Sequence, residues 1–466
     1  MSDPAIALII LLFAFLLTSA PIAVAIGMTS FVYFFYFTTV PLTQVPERLF
    51  NSLNSFPLMA IPFFVFGANV MTHGGISKRL TDFSNVLVGR FRGGLAMTAV
   101  LACMFFAAVS GSSPATVVAV GTLMIPAMIA AGYPRQFSTG IIASSGSLGI
   151  LIPPSIPLIV YGIATEQSIG DLFLAGIVPG LMAGTMLLVT VVIISRRKGY
   201  GWSGPAVAAE GSVAGTSAAM SAGESAGGAA GGAPDGGSTR AITLHRVSGK
   251  EKLAVFRSAI LSLMLPVIVL GGIYGGIFTP TEAAAAAAGY ALVIALFVYR
   301  DLKVTDLWKV VISSTKTSAM IMFIIANGIL FTFVLTTERI PGRVTDSLLA
   351  ADLSAWQFLL ITNVILLVVG WFMETSSAIL ILAPILFTIG TELGIDPIHL
   401  GVVMIMNLEI GMVTPPFGLN LFVASGLSGM SVVQVAKAAL PTAAVLLTAL
   451  FMVTYIPQIS LVLLGR

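Results

Sequence analysis

Gly149-Ile150-Leu151-Ile152-Pro153-Pro154 and Gly411-Met412-Val413-Thr414-Pro415-Pro416 decide how this chain folds. Both read G-x-x-x-P-P, 262 residues apart, and each sits in a run without Asp, Glu, Lys, Arg or His. A proline pair removes two backbone N–H donors and disfavours helix at the residue before it. Two apolar helices are therefore expected to break near their middles. A broken span frees carbonyls, which suit Na⁺, and presents a half-helix N-terminus, which suits an anion. A plain proline kink with no ligand is the simpler reading of either one alone.

The neighbouring sequence repeats in the same order. Arg79-Leu80-Thr81-Asp82 matches Arg343-Val344-Thr345-Asp346, 264 residues on. A small polar cluster, Ser110-Gly111-Ser112-Ser113-Pro114, splits the charge-free run Gly93 to Pro134 and precedes the first Pro-Pro; Met373-Glu374-Thr375-Ser376 stands likewise before the second. Ser112 lies 41 residues before Pro153 and Thr375 lies 40 before Pro415. Three matches at nearly one offset mark a structural repeat. A polar cluster cannot face lipid, because its backbone groups would go unsatisfied. Each is therefore read as the tip of a re-entrant helical hairpin buried in protein. For the first, two full spans joined by a short extramembrane turn are the alternative.

Composition sets the environment. The chain has 466 residues, 57% of them hydrophobic, and a mean hydropathy of +1.03. Only 9% are charged, against about 25% in soluble globular domains. That excludes a soluble enzyme, a disordered scaffold and a nucleic-acid binder. At roughly 20 apolar residues per span, the chain can cross a bilayer about ten times. Both hairpin tips are placed inside the membrane. All but Arg48, Arg339, Arg343 and Arg466 of the 22 Lys and Arg residues then fall on one side. The positive-inside rule makes that side cytoplasmic and puts both termini outside. The first copy of the repeat then enters its hairpin from the cytoplasm and the second from outside. This is an inverted repeat, the architecture of secondary transporters. The expected fold is an all-α polytopic membrane protein with inverted repeats, two re-entrant hairpins and two Pro-Pro broken helices. Its membrane halves are 1–198 and 251–466. Between them, 199–250 is rich in Gly, Ala and Ser and reads as a disordered cytoplasmic linker.

The remaining signals are local. Ile76, Leu80, Phe83 and Leu87 recur at helical spacing, which fits an amphipathic helix on the cytoplasmic surface. It is either an arm between scaffold and moving core or a simple interfacial loop helix. Cys103 is the single cysteine, so there is no disulfide framework or Cys-rich metal site. His73, His245 and His399 are far apart and suggest no metal centre. The chain begins Met-Ser-Asp without a basic stretch, so its first apolar run is expected to stay as a span. Glu282, Glu374 and Glu409 lie within or beside spans, where a carboxylate is costly and a functional hypothesis by default. Glu374, at a hairpin tip, is the strongest candidate; Glu282 reads as a turn residue; Glu409 either braces the broken helix or lines a cavity. Asn327, Asn407 and Asn420 are candidates for hydrogen bonds between helices, a structural role preferred for the first two. No GxxxxGK[ST] phosphate loop is present, which argues against an ATP-driven pump. No paired-Asp, Ser–Lys or His-rich motif within the spans supports an enzyme.

Four stretches resemble one family. They are SGSSPATVVAVG (Ser110 to Gly121), GILIPPSIPLIVYG (Gly149 to Gly162), GGIYGGIFTPTEAAA (Gly271 to Ala285) and NLEIGMVTPPFGLNLFVASG (Asn407 to Gly426). They are similar to the large membrane subunit (DctM-type permease) of tripartite ATP-independent periplasmic (TRAP) transporters, and the likeness covers nearly all the chain except the linker. The resemblance implies an elevator-type carrier of the ion-transporter superfamily in a bacterial or archaeal inner membrane. It implies Na⁺-coupled import of an organic acid such as a C4-dicarboxylate or sialic acid, no other cofactor, and two partners: a small four-helix membrane subunit and a periplasmic substrate-binding protein. Carried over by motif, one Na⁺ site involves Ser110, Ser112 and Ser113 with carbonyls around Gly149, Ile152 and Pro154. The second uses Thr375 and Ser376 with Gly411, Val413, Thr414 and Pro416. Substrate is placed near Ser113, Ser155 and Glu374. The family commonly has Asp where Glu374 stands, and the linker is longer than its usual connection. A stand-alone carrier of the same superfamily, working without a binding protein, is the alternative.

Overall fold

The computed structural model describes the chain except residues 1–3, 19, 39–40, 201–248, 341, 344–345, 347–352 and 417. The 199–250 linker thus lies outside the described residues apart from its ends, as does part of the second copy of the Arg-x-Thr-Asp match. The described residues form helices and loops without strands. Among the described residues, nine helices are long and apolar enough to cross a bilayer, or ten if the bent pair Arg135–Leu151 and Ile156–Thr165 counts as one span. This is a multi-pass helical membrane protein.

One group of helices makes a frame. Pro280–Val293 lies along Ala60–His73, and the 34-residue Val304–Thr337 packs on both Ile22–Phe37 and Ala60–His73. Small residues permit the close approach: a Cβ on Gly67 would sit 3.5 Å from Ala288 Cα, the pattern expected of helix pairs in lipid. The charge-free run from Leu49 to Thr72 supplies one candidate span, Phe56–His73. Asn54, Ser55 and Pro57 interrupt the run, giving Gln44–Leu53, a 3₁₀ turn Phe56–Met59 and Ala60–His73. The second half opens its helix at Pro280 with a capping box, in which Thr279 and Glu282 satisfy each other's backbone N–H groups.

The second group contains the hairpins. Gly94–Ser110 and Ser113–Ala130 form the first, and Ala355–Phe372 and Thr375–Glu392 the second. Each is followed by an interrupted helix. The first runs Arg135–Gly146, Leu148–Leu151, then Ile156–Thr165, with a bend of 42°. The second runs Pro397–Gly411, then Leu419–Ser428. The far half of each broken helix packs on the return arm of the other hairpin: Ile156–Thr165 on Thr375–Glu392, and Leu419–Ser428 on Ser113–Ala130. Between frame and hairpin group lies an apolar cleft. Phe63 and Ala287 line one side of it, Ala108, Val109 and Pro154 the other.

Ile76–Val88 joins the groups. Ile76, Leu80 and Phe83 are buried, whereas Leu87 at its end is exposed. The helix packs on the first hairpin and on Gly249–Tyr274. Arg79 pins its start: Nη1 meets Asp301 Oδ2 at 2.5 Å and donates to Gly75 O, and the guanidinium lies 3.7 Å from the Tyr299 ring centroid. Gly75 holds φ +69°, and a Cβ there would run into Asp301 and Arg79. Asp301 is 43% exposed, so the ion pair itself contributes about 0–1 kcal/mol. Arg79→Ala also loses the ring contact, worth about 0.5–1 kcal/mol at such a site. Thermal unfolding in detergent should therefore show Arg79→Ala more destabilised than Asp301→Ala; equal losses would mean the ring contributes nothing.

Candidate functional site

The first tip is built from local hydroxyl chemistry. Gly111 ends Gly94–Ser110 in the left-handed region at φ +59°. Thr116 Oγ1 donates back to Ser112 O at 2.8 Å and lies 3.0 Å from Ser110 Oγ. Ser110, Ser113 and Thr116 are buried, with 1% or less exposed. The tip meets the first break directly. Ile156 N donates to Gly111 O at 3.4 Å, and a Cβ on Gly111 would lie 2.8 Å from Pro154 O. A Cβ on Gly149 would lie 2.7 Å from Thr116 Oγ1 and 3.1 Å from Ser112 O. Ser110, Ser112, Gly149 and Pro154 thus converge. Among the described residues, nothing donates to the carbonyls of Ile152, Pro153 or Pro154. Unpaired carbonyls beside hydroxyls form an all-oxygen surface suited to a hard cation. Ser155 caps Ile156–Thr165, its Oγ accepting from Leu158 N at 3.4 Å.

The second tip differs in how it is capped. Glu374 is the N-cap of Thr375–Glu392, its Oε2 accepting from Ser377 N at 3.1 Å and its Oε1 from Ser376 Oγ at 2.9 Å. Among the described residues, its carboxylate hydrogen-bonds only within its own turn, and not to Ser113 or Ser155. Thr375 is fully buried and points the other way, to Met412 Sδ at 3.1 Å and Glu409 Oε2 at 3.5 Å. At the second break Thr414 Oγ1 donates to Ile410 O, Thr414 N to Gly411 O, and Asn420 N to Met412 O. The Gly411 carbonyl therefore already has a donor. Among the described residues the Val413 and Thr414 carbonyls have none. Thr375 approaches this break through Met412. Pro416 is exposed, and Ser376 is held by Glu374. Both Pro-Pro bonds are cis.

Three side chains outside the motif-based site tie the tips together. Glu409 is 1% exposed; its Oε1 accepts from Asn420 Nδ2 at 3.1 Å. The same Nδ2 lies 2.5 Å from Ser113 Oγ and 3.4 Å from Ser147 Oγ. Asn420 stands just past the second break, and Ser147 in the bent part of the first broken helix. A carboxylate inside an apolar run was the available signal for Glu409. Nothing in spacing joined it to Ser113, 296 residues earlier. Two other polar residues are structural. Asn407 Nδ2 donates to Asn363 O and Oδ1 across helices, as expected. Asn327 bonds within its own helix, to Phe323 O, and packs against Gly27.

An all-helical multi-pass protein whose polar centre is shared by two hairpin tips and two interrupted helices is a membrane permease by architecture. The chain belongs to the DctM component family of tripartite ATP-independent periplasmic transporters, whose family model matches residues 9–459. It is 47% identical over 439 residues to the C4-dicarboxylate TRAP transporter large permease protein DctM of Pseudomonas aeruginosa, covering 94% of this chain and 93% of that one. It is 43% identical over 467 residues to the protein of the same name in Rhodobacter capsulatus, covering 97% of each. The fold is similar to the crystal structure of the Alcanivorax borkumensis YdaH transporter, with a TM-score of 0.51, 15% identity, and 96% and 97% of the two chains covered. The chain is thus a TRAP large permease, a transporter and not an enzyme.

Proposed function

We propose that this permease imports an organic acid anion, with a C4-dicarboxylate as the first candidate, driven by Na⁺. One observation carries the reading: each hairpin tip lies against the Pro-Pro break of a broken helix, where hydroxyls gather with carbonyls that have no donor among the described residues. The relatives' names support the substrate class. One Na⁺ is assigned to Ser110, Ser112 and Ser113 with carbonyls around Gly149, Ile152 and Pro154. The other is assigned to Thr375 and Ser376 with Gly411, Val413, Thr414 and Pro416. The anion sits between the tips near Ser113 and Ser155. Glu374, itself an anion on its own helix N-terminus, fixes the second tip and meets substrate through a hydroxyl or a bound cation. Na⁺ orders both tips, the anion docks, and the hairpin group slides as an elevator past the frame. The reciprocal packing of the two broken helices fits inverted repeats. A small four-helix subunit and a periplasmic binding protein complete the transporter in an inner membrane, with both termini periplasmic.

The test is uptake of radiolabelled organic acids into proteoliposomes holding this chain and its small subunit, with and without the binding protein, under an inward Na⁺ gradient. Uptake should require both. Robust uptake by this chain alone would point instead to a stand-alone carrier. Ser112→Ala and Thr414→Ala each remove one cation-facing hydroxyl. A hydrogen-bond-scale contact to a charge is worth about 1.5–3 kcal/mol, so half-maximal uptake should need about tenfold more Na⁺ or above. Wild-type Na⁺ dependence in both variants would sink the assignment.

A further inference from the structure

Glu409 and Asn420 stand between the two tips and are bonded to residues of both. Among the described residues no Lys, Arg or His comes within salt-bridge distance of Glu409. Its partners are neutral donors: Thr375 Oγ1 from the second tip, Asn420 Nδ2 from beyond the second break, and the Ser113 and Ser147 hydroxyls. Asn420 is fully buried and passes the connection on to Ser113 in the first tip and Ser147 in the first broken helix. Thr375, Glu409, Asn420 and Ser113 therefore make a chain of polar contacts from tip to tip, in which the single Thr375 proton is shared between Glu409 Oε2 at 3.5 Å and Met412 Sδ at 3.1 Å.

The chain has little slack. An amide nitrogen offers two protons, and here Ser113 and Glu409 are the near acceptors. Withdrawal of the first tip would leave that buried N–H only the longer contact to Ser147 Oγ at 3.4 Å, and withdrawal of the second would remove a donor from a buried carboxylate. Stranding such groups is costly, so the tips are not free to loosen independently. The Asn407–Asn363 pair on the same helix is a useful contrast, because it fastens helix to helix and touches neither tip.

We propose that Glu409 and Asn420 are positioning residues that couple the two tips, so that a cation ordering one tip favours order in the other. This rests on the Na⁺-coupled reading above. A ligand that finds its site already ordered gives up less conformational freedom, and the coupling between two sites is reciprocal. Na⁺ binding at the two tips is then one cooperative event. The role is geometric, so a side chain of the same size and hydrogen-bonding reach preserves it: in Glu409→Gln the amide oxygen still accepts from Asn420.

The experiment is hydrogen–deuterium exchange on the purified complex of this chain with its small subunit, across a Na⁺ titration balanced with choline. Peptides spanning Ser110 to Ser113 and Met373 to Ser377 report the tips separately. In the wild type both should gain protection steeply at one shared Na⁺ midpoint. In Asn420→Ala, and in the milder Asn420→Ser, the midpoints should part by at least threefold and each transition should broaden to a single-site curve. Glu409→Ala should behave alike, Glu409→Gln should restore the shared midpoint, and Asn407→Ser should leave it intact. Separate midpoints in the wild type would overturn the proposal without any variant. A shared midpoint that survives Asn420→Ala or Asn420→Ser would overturn it too, while leaving Na⁺ coupling standing. No response of either tip to Na⁺ would remove both readings together.

Discussion

Gly149→Ala is expected to raise the Na⁺ concentration for half-maximal uptake by about tenfold or more while leaving the protein folded. Gly149 lies in a helical turn without a positive φ, so alanine suits its backbone. In isolation the change gains helix propensity, up to about 1 kcal/mol. What it lacks is space. The added Cβ would stand 2.7 Å from Thr116 Oγ1 and 3.1 Å from Ser112 O. Real carbon–oxygen contacts do not close to that distance, so the tip must move by several tenths of an ångström. Thr116 Oγ1 is the group that draws Ser112 O back into the turn, and pushing it away disturbs the carbonyl and hydroxyls assigned to the first cation. Losing the worth of one charge-assisted contact, about 1.5–3 kcal/mol, gives the stated shift. Two measurements separate the effects: the thermal midpoint in detergent, which should hardly change, and Na⁺ activation of uptake, which should move strongly. Unaltered Na⁺ activation would mean that the tip does not depend on this contact.

The helix breaks and turns were legible because they rest on proline, glycine and small polar residues. Pro153-Pro154 and Pro415-Pro416 cannot continue a helix, and the chain breaks at both. Ser-Gly-Ser-Ser and Met-Glu-Thr-Ser interrupt apolar runs, and both are tips. These are local constraints, legible one residue at a time. The start of the candidate span Phe56–His73 is not legible from charge, because Asn54, Ser55 and Pro57, which precede and open it, carry none. Composition treats such residues as permissible in lipid, while backbone geometry does not. Glu374 shows a second limit. Its place at a tip was readable, but its use as the cap of its own helix depends on a rotamer that turns it toward Ser377 N. The Thr375–Glu409–Asn420–Ser113 chain was beyond reach for a different reason. It joins residues from both halves, and only the crossed packing of each broken helix on the other hairpin brings them together.

Packing within the second copy, of its hairpin on its own broken helix, makes the second prediction. Gly370, on the outgoing arm of the second hairpin, faces Gly411 at the end of Pro397–Gly411. A Cβ on Gly411 would lie 2.7 Å from Gly370 Cα and 3.1 Å from Leu367 O; one on Gly370 would lie 2.7 Å from Leu408 O and 3.0 Å from Gly411 Cα. Every one of these neighbours is backbone, so no rotamer change relieves the clash, and the helices must separate. Overpacking of this kind costs about 1–3 kcal/mol. In lipid, helix pairs depend on such close contact between small residues. Gly370→Ala and Gly411→Ala should each lower the unfolding midpoint and abolish most uptake, because the second break is moved away from Thr375. The double variant is the sharper test. Once one methyl group has parted the helices, the second enters space already opened, so the two losses should not add. The double variant should be little less stable than the worse single one. Full additivity would show that the two glycines act at separate contacts, and that the second tip and its broken helix are not held in register by this backbone approach.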